Sequence, residues 1–258
     1  MSRIPHMHPA RGLLALATAL LLIGACAPAG GGGDDGGDSG GTHANRVISY
    51  DPVNSTGATP DEWPYFFNPG AALGEWMGVL DVVSLGYDKN ASDTFGGNIV
   101  LGLGSSTDSG DNACIRDGTG DDFIVYENAF ATTTMIDNEV VTGTNSEVVL
   151  VAVSQNGNNW YPFPTNQNTA LPLIDPERYT GYAGVSTSQS GGDRFDLATV
   201  IAAESALDNT FQACYVRLTD GGTAHMDYGN TQSDMYASGA DIDAVTVIHP
   251  AAAPGLSP

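Results

Sequence analysis

Tyr215-Val216-Arg217-Leu218-Thr219 sets Val216 and Leu218 on one side of an extended chain and Tyr215 and Arg217 on the other. Successive side chains of a strand point to opposite faces, so this stretch predicts a β-strand with one buried side. Residues 148–154 read VVLVAVS and show no such alternation, which predicts an interior strand covered on both faces. Further β-rich runs at 79–85, 98–103, 123–126 and 244–248 are separated by turns of Gly, Asn, Asp and Ser, the spacing of a sandwich or jelly roll. One helix is predicted over 196–207 (DLATVIAAESAL), where Leu197, Val200 and Ile201 make a short apolar stripe behind Asp196 as N-cap. The expected fold is all-β, a jelly-roll β-sandwich with one short surface helix.

Outward from this core, residues 45–250 read as one domain without internal repeats, and 251–258 as a disordered Pro/Ala-rich tail. The N-terminus is of another kind. Arg3 and Arg11 precede an apolar run from Gly12 to Ile23, shorter than the roughly 20 residues a membrane-spanning helix needs. Residues 1–25 therefore read as a signal peptide. The run closes on Ile23-Gly24-Ala25-Cys26, which resembles the lipobox of bacterial lipoproteins and implies acylation of Cys26. The alternative is ordinary signal cleavage beside an incidental cysteine. Residues 26–44, rich in Gly, Asp and Ser, have no large apolar side chain before the domain and read as a flexible tether. The membrane is thus an expected partner through the lipid on Cys26. Ala27 after that cysteine follows the outer-membrane sorting pattern of such lipoproteins, so the expected location is the cell envelope, at the outer membrane or cell surface.

Without residues 1–25 the chain keeps 6 basic and 30 acidic residues, a formal charge of −24. Nucleic acid is disfavoured as a partner, because phosphate recognition needs clustered Lys and Arg. Two readings of the acidity stand side by side: it keeps an envelope protein soluble, or bound divalent cations neutralise part of it. With Cys26 assigned to lipid, Cys114 and Cys214 remain as a pair in an oxidising compartment and are expected to form a disulfide.

Three acidic segments carry the metal expectation. In Asp117-Gly118-Thr119-Gly120-Asp121-Asp122, followed by Phe123 to Asn128, glycines let the chain turn so that several hard oxygen ligands converge, as calcium requires. Asp117, Asp122, Glu127 and Asn128 are the candidate ligands there. Asp193 and Asp196 in the 191–196 segment (GGDRFD) form a second candidate pair, and Asp241 with Asp243 a third. In extended chain the last two carboxylates point to one side while Ile242 points to the other. The competing reading is structural: Asp196 caps the helix, Asp193 pairs with an arginine, and the 117–122 turn is simply solvated.

For ligand binding, the Asn-Gly turn Ser154-Gln155-Asn156-Gly157-Asn158-Asn159 leads into Trp160 and Tyr161, and Tyr179 and Tyr182 follow in the next loop. These four rings are the candidate aromatic platform for a sugar; burial in the core is the alternative. Enzyme signatures are sparse: no Gly-x-Ser-x-Gly elbow, His-Glu-x-x-His or phosphate loop is present, and after residue 25 the only histidines are His43, His225 and His249. Paired carboxylates leave a glycoside hydrolase as the alternative activity, since its two acids need no local motif, and a nutrient-capture accessory or a structural surface module is the further reading.

The ordered set DGTGDDFIVYENAF, EVVLVAVSQNGNNWYPFP, GGDRFDLATV, CYVRLTDGG and GADIDAVTVIHP resembles a group of bacterial cell-surface proteins and lipoproteins with a jelly-roll domain, over about residues 81–250. The hairpin at 154–160 and the later Tyr-Val-Arg strand are also similar to discoidin-like carbohydrate-binding domains. The resemblance implies a galactose-binding-like sandwich with structural calcium, recognising a glycan or other envelope ligand. It implies no particular reaction.

Overall fold

A computed structural model describes residues 42–53, 64–78, 81–88, 90–103, 113–136, 139–225 and 239–252. The signal segment, Cys26 and most of the tether lie outside the described residues. Contacts divide the chain into residues 1–39 and 40–258, and the described residues all belong to the second unit.

Two antiparallel sheets carry the fold. The first runs Thr42–His43, Asp241–Val247, Phe123–Glu127, Asp193–Phe195, with Val83–Ser84 paired onto Asp241–Val247. The second runs Tyr161–Pro162, Val149–Ser154, Tyr215–Asp220, Asn98–Gly102, Arg46–Asp51, with Tyr182–Ala183 also on Val149–Ser154. The sheets face each other across one apolar core, to which the first gives Phe123, Val125, Ile242 and Val245 and the second gives Ile99, Leu101, Val151, Val153, Val216 and Leu218. The protein is an all-β sandwich.

The period-2 reading of Tyr215–Asp220 holds: Val216, Leu218 and Asp220 are buried, and Tyr215, Arg217 and Thr219 are half-buried. Each fully buried aliphatic side chain contributes about 1.5–3 kcal/mol relative to exposure. Val149–Ser154 is interior, as its unbroken apolar run requires, with neighbours along both edges. The helix is shorter than expected, Leu197–Ala203, with Asp196 Oδ1 accepting the Ala198 N–H at 2.8 Å as N-cap. Leu197 and Val200 are its buried residues, so its stripe stops with the first two turns. The folded unit reaches beyond 45–250 at both ends, because Thr42–His43 and Pro250–Ala252 are paired strands.

Cys114 and Cys214 form a disulfide across a sequence separation of 100 residues. It joins the small sheet of Gln212–Ala213, Ala113–Arg116 and Pro250–Ala252 to the start of Tyr215–Asp220. A further hairpin, Phe130–Ile136 with Glu139–Asn145, forms a two-stranded sheet of its own and leaves Phe130, Met135 and Val140 exposed.

Candidate functional site

Two acidic centres flank the strand Phe123–Glu127, one at each end. At its start, the 117–122 turn closes on Asp122, which is fully buried. Asp122 Oδ1 accepts the Gly118 N–H at 2.8 Å and faces His249 Nδ1 at 2.7 Å, while Oδ2 accepts the Leu197 N–H at 2.7 Å. One residue thereby ties the turn to the first turn of the helix and to the end of Asp241–Val247. Gly118 is required by close approach, since a Cβ there would strike the His249 ring. One carboxylate oxygen from each of Asp117, Asp122 and Asp196 lies within 4.8 Å of the other two. Asp117 Oδ1 is buried and has no hydrogen-bond partner among the described residues. Burial raises the Asp117 pKa, the charges of Asp122 and Asp196 add to this, and His249 opposes it. Oxygens this close can share one calcium, with Asp117 offering the oxygen that nothing else uses. The sequence singled out the three carboxylates but not His249.

At the other end of the strand, Glu127 is fully buried and Asn128 donates its N–H to the Asp241 carbonyl at 3.1 Å. Glu127 Oε1 accepts the Asp241 N–H at 3.2 Å, and Oε2 is buried without a hydrogen-bond partner among the described residues. Burial holds Glu127 well above the usual carboxylate range, and the charges of Asp241, Asp193 and Asp220 push the same way. Asp193, 8% exposed, accepts the Val185 N–H at 3.0 Å and the Ser186 N–H at 2.9 Å. Among the described residues it forms no pair with an arginine; Arg194 instead reaches Asp121 at 3.9 Å. Asp220, 1% exposed, accepts the Gly222 and Ala240 N–H groups, each at 2.6 Å, and burial pushes it up to about 7.

Two expectations need correction. Asp241 and Asp243 do not share a side: a bulge between Ile242 and Ala244 inserts Asp243 and breaks the alternation. Asp241 therefore adjoins Glu127, while Asp243 turns to the Met77 N–H at 3.4 Å and is pushed up to about 7 by burial, helped by the charge of Asp81. The four-ring platform is not assembled either. Tyr179 and Tyr182 are 6% and 5% exposed and pack edge-to-face in a small apolar cluster with Val148 and Val185. Their hydroxyls are used internally, Tyr179 donating to the Leu173 carbonyl at 3.1 Å and Tyr182 bonding to His225 Nδ1 at 2.6 Å. Trp160 carries the Arg217 guanidinium 4.8 Å from its ring centre.

Of the four, Tyr161 lines the cleft beside the amide-rich turn. With its ring edge-to-face on Phe211, it lines a cleft of about 190 Å³ together with Gln155, Asn156, Asn159, Asp208 and Phe211. The turn is rigid because Asn156 Oδ1 accepts the N–H groups of Asn158 at 2.9 Å and Asn159 at 3.0 Å. Gln155 and Asn159 remain exposed at its rim. A wider cleft of about 500 Å³ is lined by Glu177, Tyr179, Tyr182, Asp193, Arg194 and Asp196 among others, so Tyr179 and Tyr182 border it with little of their surface exposed. No family model matches the chain, and no curated protein matches it.

Proposed function

We propose that this chain is an exported, lipid-anchored cell-surface protein whose sandwich binds a glycan or another extracellular ligand, with calcium as a structural ion. The binding reading rests on the cleft at the 155–161 turn. Its amides from Gln155 and Asn159 offer donors and acceptors side by side, and Tyr161, packed on the buried Phe211, supplies apolar ring surface, the two kinds of contact a sugar ring needs. Calcium at Asp117, Asp122 and Asp196 would pin the 117–122 turn, and acylation at Cys26 would hold the domain at the membrane.

A glycan array probed with the full chain tests the reading. Saturable binding that falls at least tenfold in Asn159→Ala with Tyr161→Ala, and persists in Arg194→Ala, is the expected result. Binding untouched by the double substitution would remove the cleft from the account, and release of reducing sugar from a bound glycan would turn the binding protein into a hydrolase. The anchor is tested by fatty-acid labelling, which Cys26→Ala should abolish.

A further inference from the structure

The arginines of the described residues are Arg46, Arg116, Arg178, Arg194 and Arg217, and three of them are answered within the protein. Arg116 donates to the Pro250 and Asp117 carbonyls at 3.2 and 3.4 Å, Arg178 donates to the Leu171 carbonyl at 2.6 Å, and Arg194 reaches Asp121 at 3.9 Å. Arg46 and Arg217 are different. Among the described residues neither forms an ion pair or a hydrogen bond, and each guanidinium meets only an aromatic ring. That of Arg46 lies 6.0 Å from the centre of the Tyr215 ring, and that of Arg217 lies 4.8 Å from the centre of the Trp160 ring. Arg46 Nε is buried and donates to no acceptor among the described residues.

Both arginines belong to one face of the second sheet. Val216 and Leu218 turn into the core, so Tyr215 and Arg217 point to the opposite side. Arg46, Gly102, Tyr215 and Ser154 stand in one row across the ladder, and Arg217 stands in the next row on that side, opposite Val100 and Ala152. Gly102 lets the first row form, since a Cβ there would lie 2.9 Å from Arg46 Nη2. The 155–159 turn leans over the same face: the Cβ position of Gly157 is 3.7 Å from the Tyr215 ring.

After residue 25 the chain has 6 basic residues against 30 acidic ones, so an acid for each guanidinium would be easy to place. This face leaves both without one. Stacking on a ring fixes the plane of a guanidinium, which reduces the freedom lost when an anion docks. The planar fork matches a carboxylate through two parallel N–H···O bonds. The turn above the face adds neutral donors and acceptors of the kind that sugar hydroxyls use.

We infer that this face binds an acidic glycan, a chain of uronic acid units whose carboxylates meet Arg46 and Arg217 at separate points. The inference rests on the reading of the sandwich as a glycan binder and adds the charge class of the glycan. Elsewhere the acidic surface repels such a polymer, so the two arginines also fix where it docks.

Isothermal titration calorimetry of the full chain with oligogalacturonate and with oligomannuronate, each beside its methyl ester, is the test. The ester keeps the sugar and removes the charge. At least one acid should bind about tenfold tighter than its ester. That preference should vanish in Arg46→Gln with Arg217→Gln, and should fall as sodium chloride is raised from about 20 to 300 mM. Wild type that favours neither acid over its ester, or a double variant that keeps the preference, overturns the inference. Should the double variant misfold by near-ultraviolet circular dichroism, Arg217→Lys decides, because it keeps the charge and loses the fork: a weakened preference supports the site and an unchanged one overturns it. Asn159→Ala with Tyr161→Ala separates this inference from the cleft at the 155–161 turn. If acid and ester bind equally and that variant weakens both, the cleft stands and the arginine face falls. If that variant changes neither while the arginine variant abolishes acid binding, the face stands and the cleft falls.

Discussion

The two ends of the strand Phe123–Glu127 solve the same problem in opposite ways. At one end Asp122 is buried but accepts two backbone N–H groups and faces an imidazole nitrogen. At the other, Glu127 is equally buried and has one backbone donor for two oxygens, in the company of three more acids. The contrast teaches that a buried carboxylate is not in itself a metal ligand. Asp122 is a structural knot whose charge the protein already answers, with Asp117 as the one open oxygen beside it. Glu127 is the group that the protein alone leaves unanswered.

Substitution at the two ends should therefore behave differently. Asp122→Ala leaves the Gly118 and Leu197 amides buried without acceptors, so in chelator it should cost about 3–5 kcal/mol and lower the melting temperature by about 10 °C, and in calcium the gap to wild type should widen because a proposed ligand is lost as well. A thermal scan in which Asp122→Ala matches wild type would erase the knot. Next in size, calcium should raise the wild-type melting temperature by about 5–10 °C over chelator, the return for a ligand at about a hundred times its Kd. Asp117→Asn should lose most of that rise, and Glu127→Gln should keep it. Equal calcium responses in the two proteins would collapse the comparison. His249→Asn keeps the ring space partly filled but weakens the contact to Asp122, and should cost about 1–2 kcal/mol independently of calcium.

The smallest effect lies outside both centres. His225 bonds to Tyr182, and burial lowers its pKa, with the charge of Asp93 opposing. Its folded value lies below the unfolded one, so its contribution is present above about pH 6.5 and lost as pH falls through the folded value. Chelated protein should lose slightly more stability on acidification than a His225→Asn variant; identical acid slopes would dismiss this contribution.

The strands of the core were legible because burial writes itself as alternation, as in Val216 and Leu218, or as an unbroken run, as in Val149 to Val153. The hairpin Phe130–Ile136 with Glu139–Asn145 escaped notice because its exposed Thr-rich strands have no buried face to impose a pattern. Asp220 lies one residue past the stretch whose alternation marks the strand, and the same period-2 count that buries Val216 and Leu218 also buries it. The bulge that parts Asp241 from Asp243 depends on pairing with Phe123–Glu127 and leaves no local trace in the sequence. The burial of Tyr179 and Tyr182 depends likewise on His225 and Val148, residues remote in the chain.

An anomalous-difference map from crystals of the full chain grown with calcium would test the metal reading most directly. The account expects a peak about 2.3–2.6 Å from Asp117 Oδ1, with Asp122 and Asp196 oxygens in the same coordination sphere. A map with no peak there would contradict it.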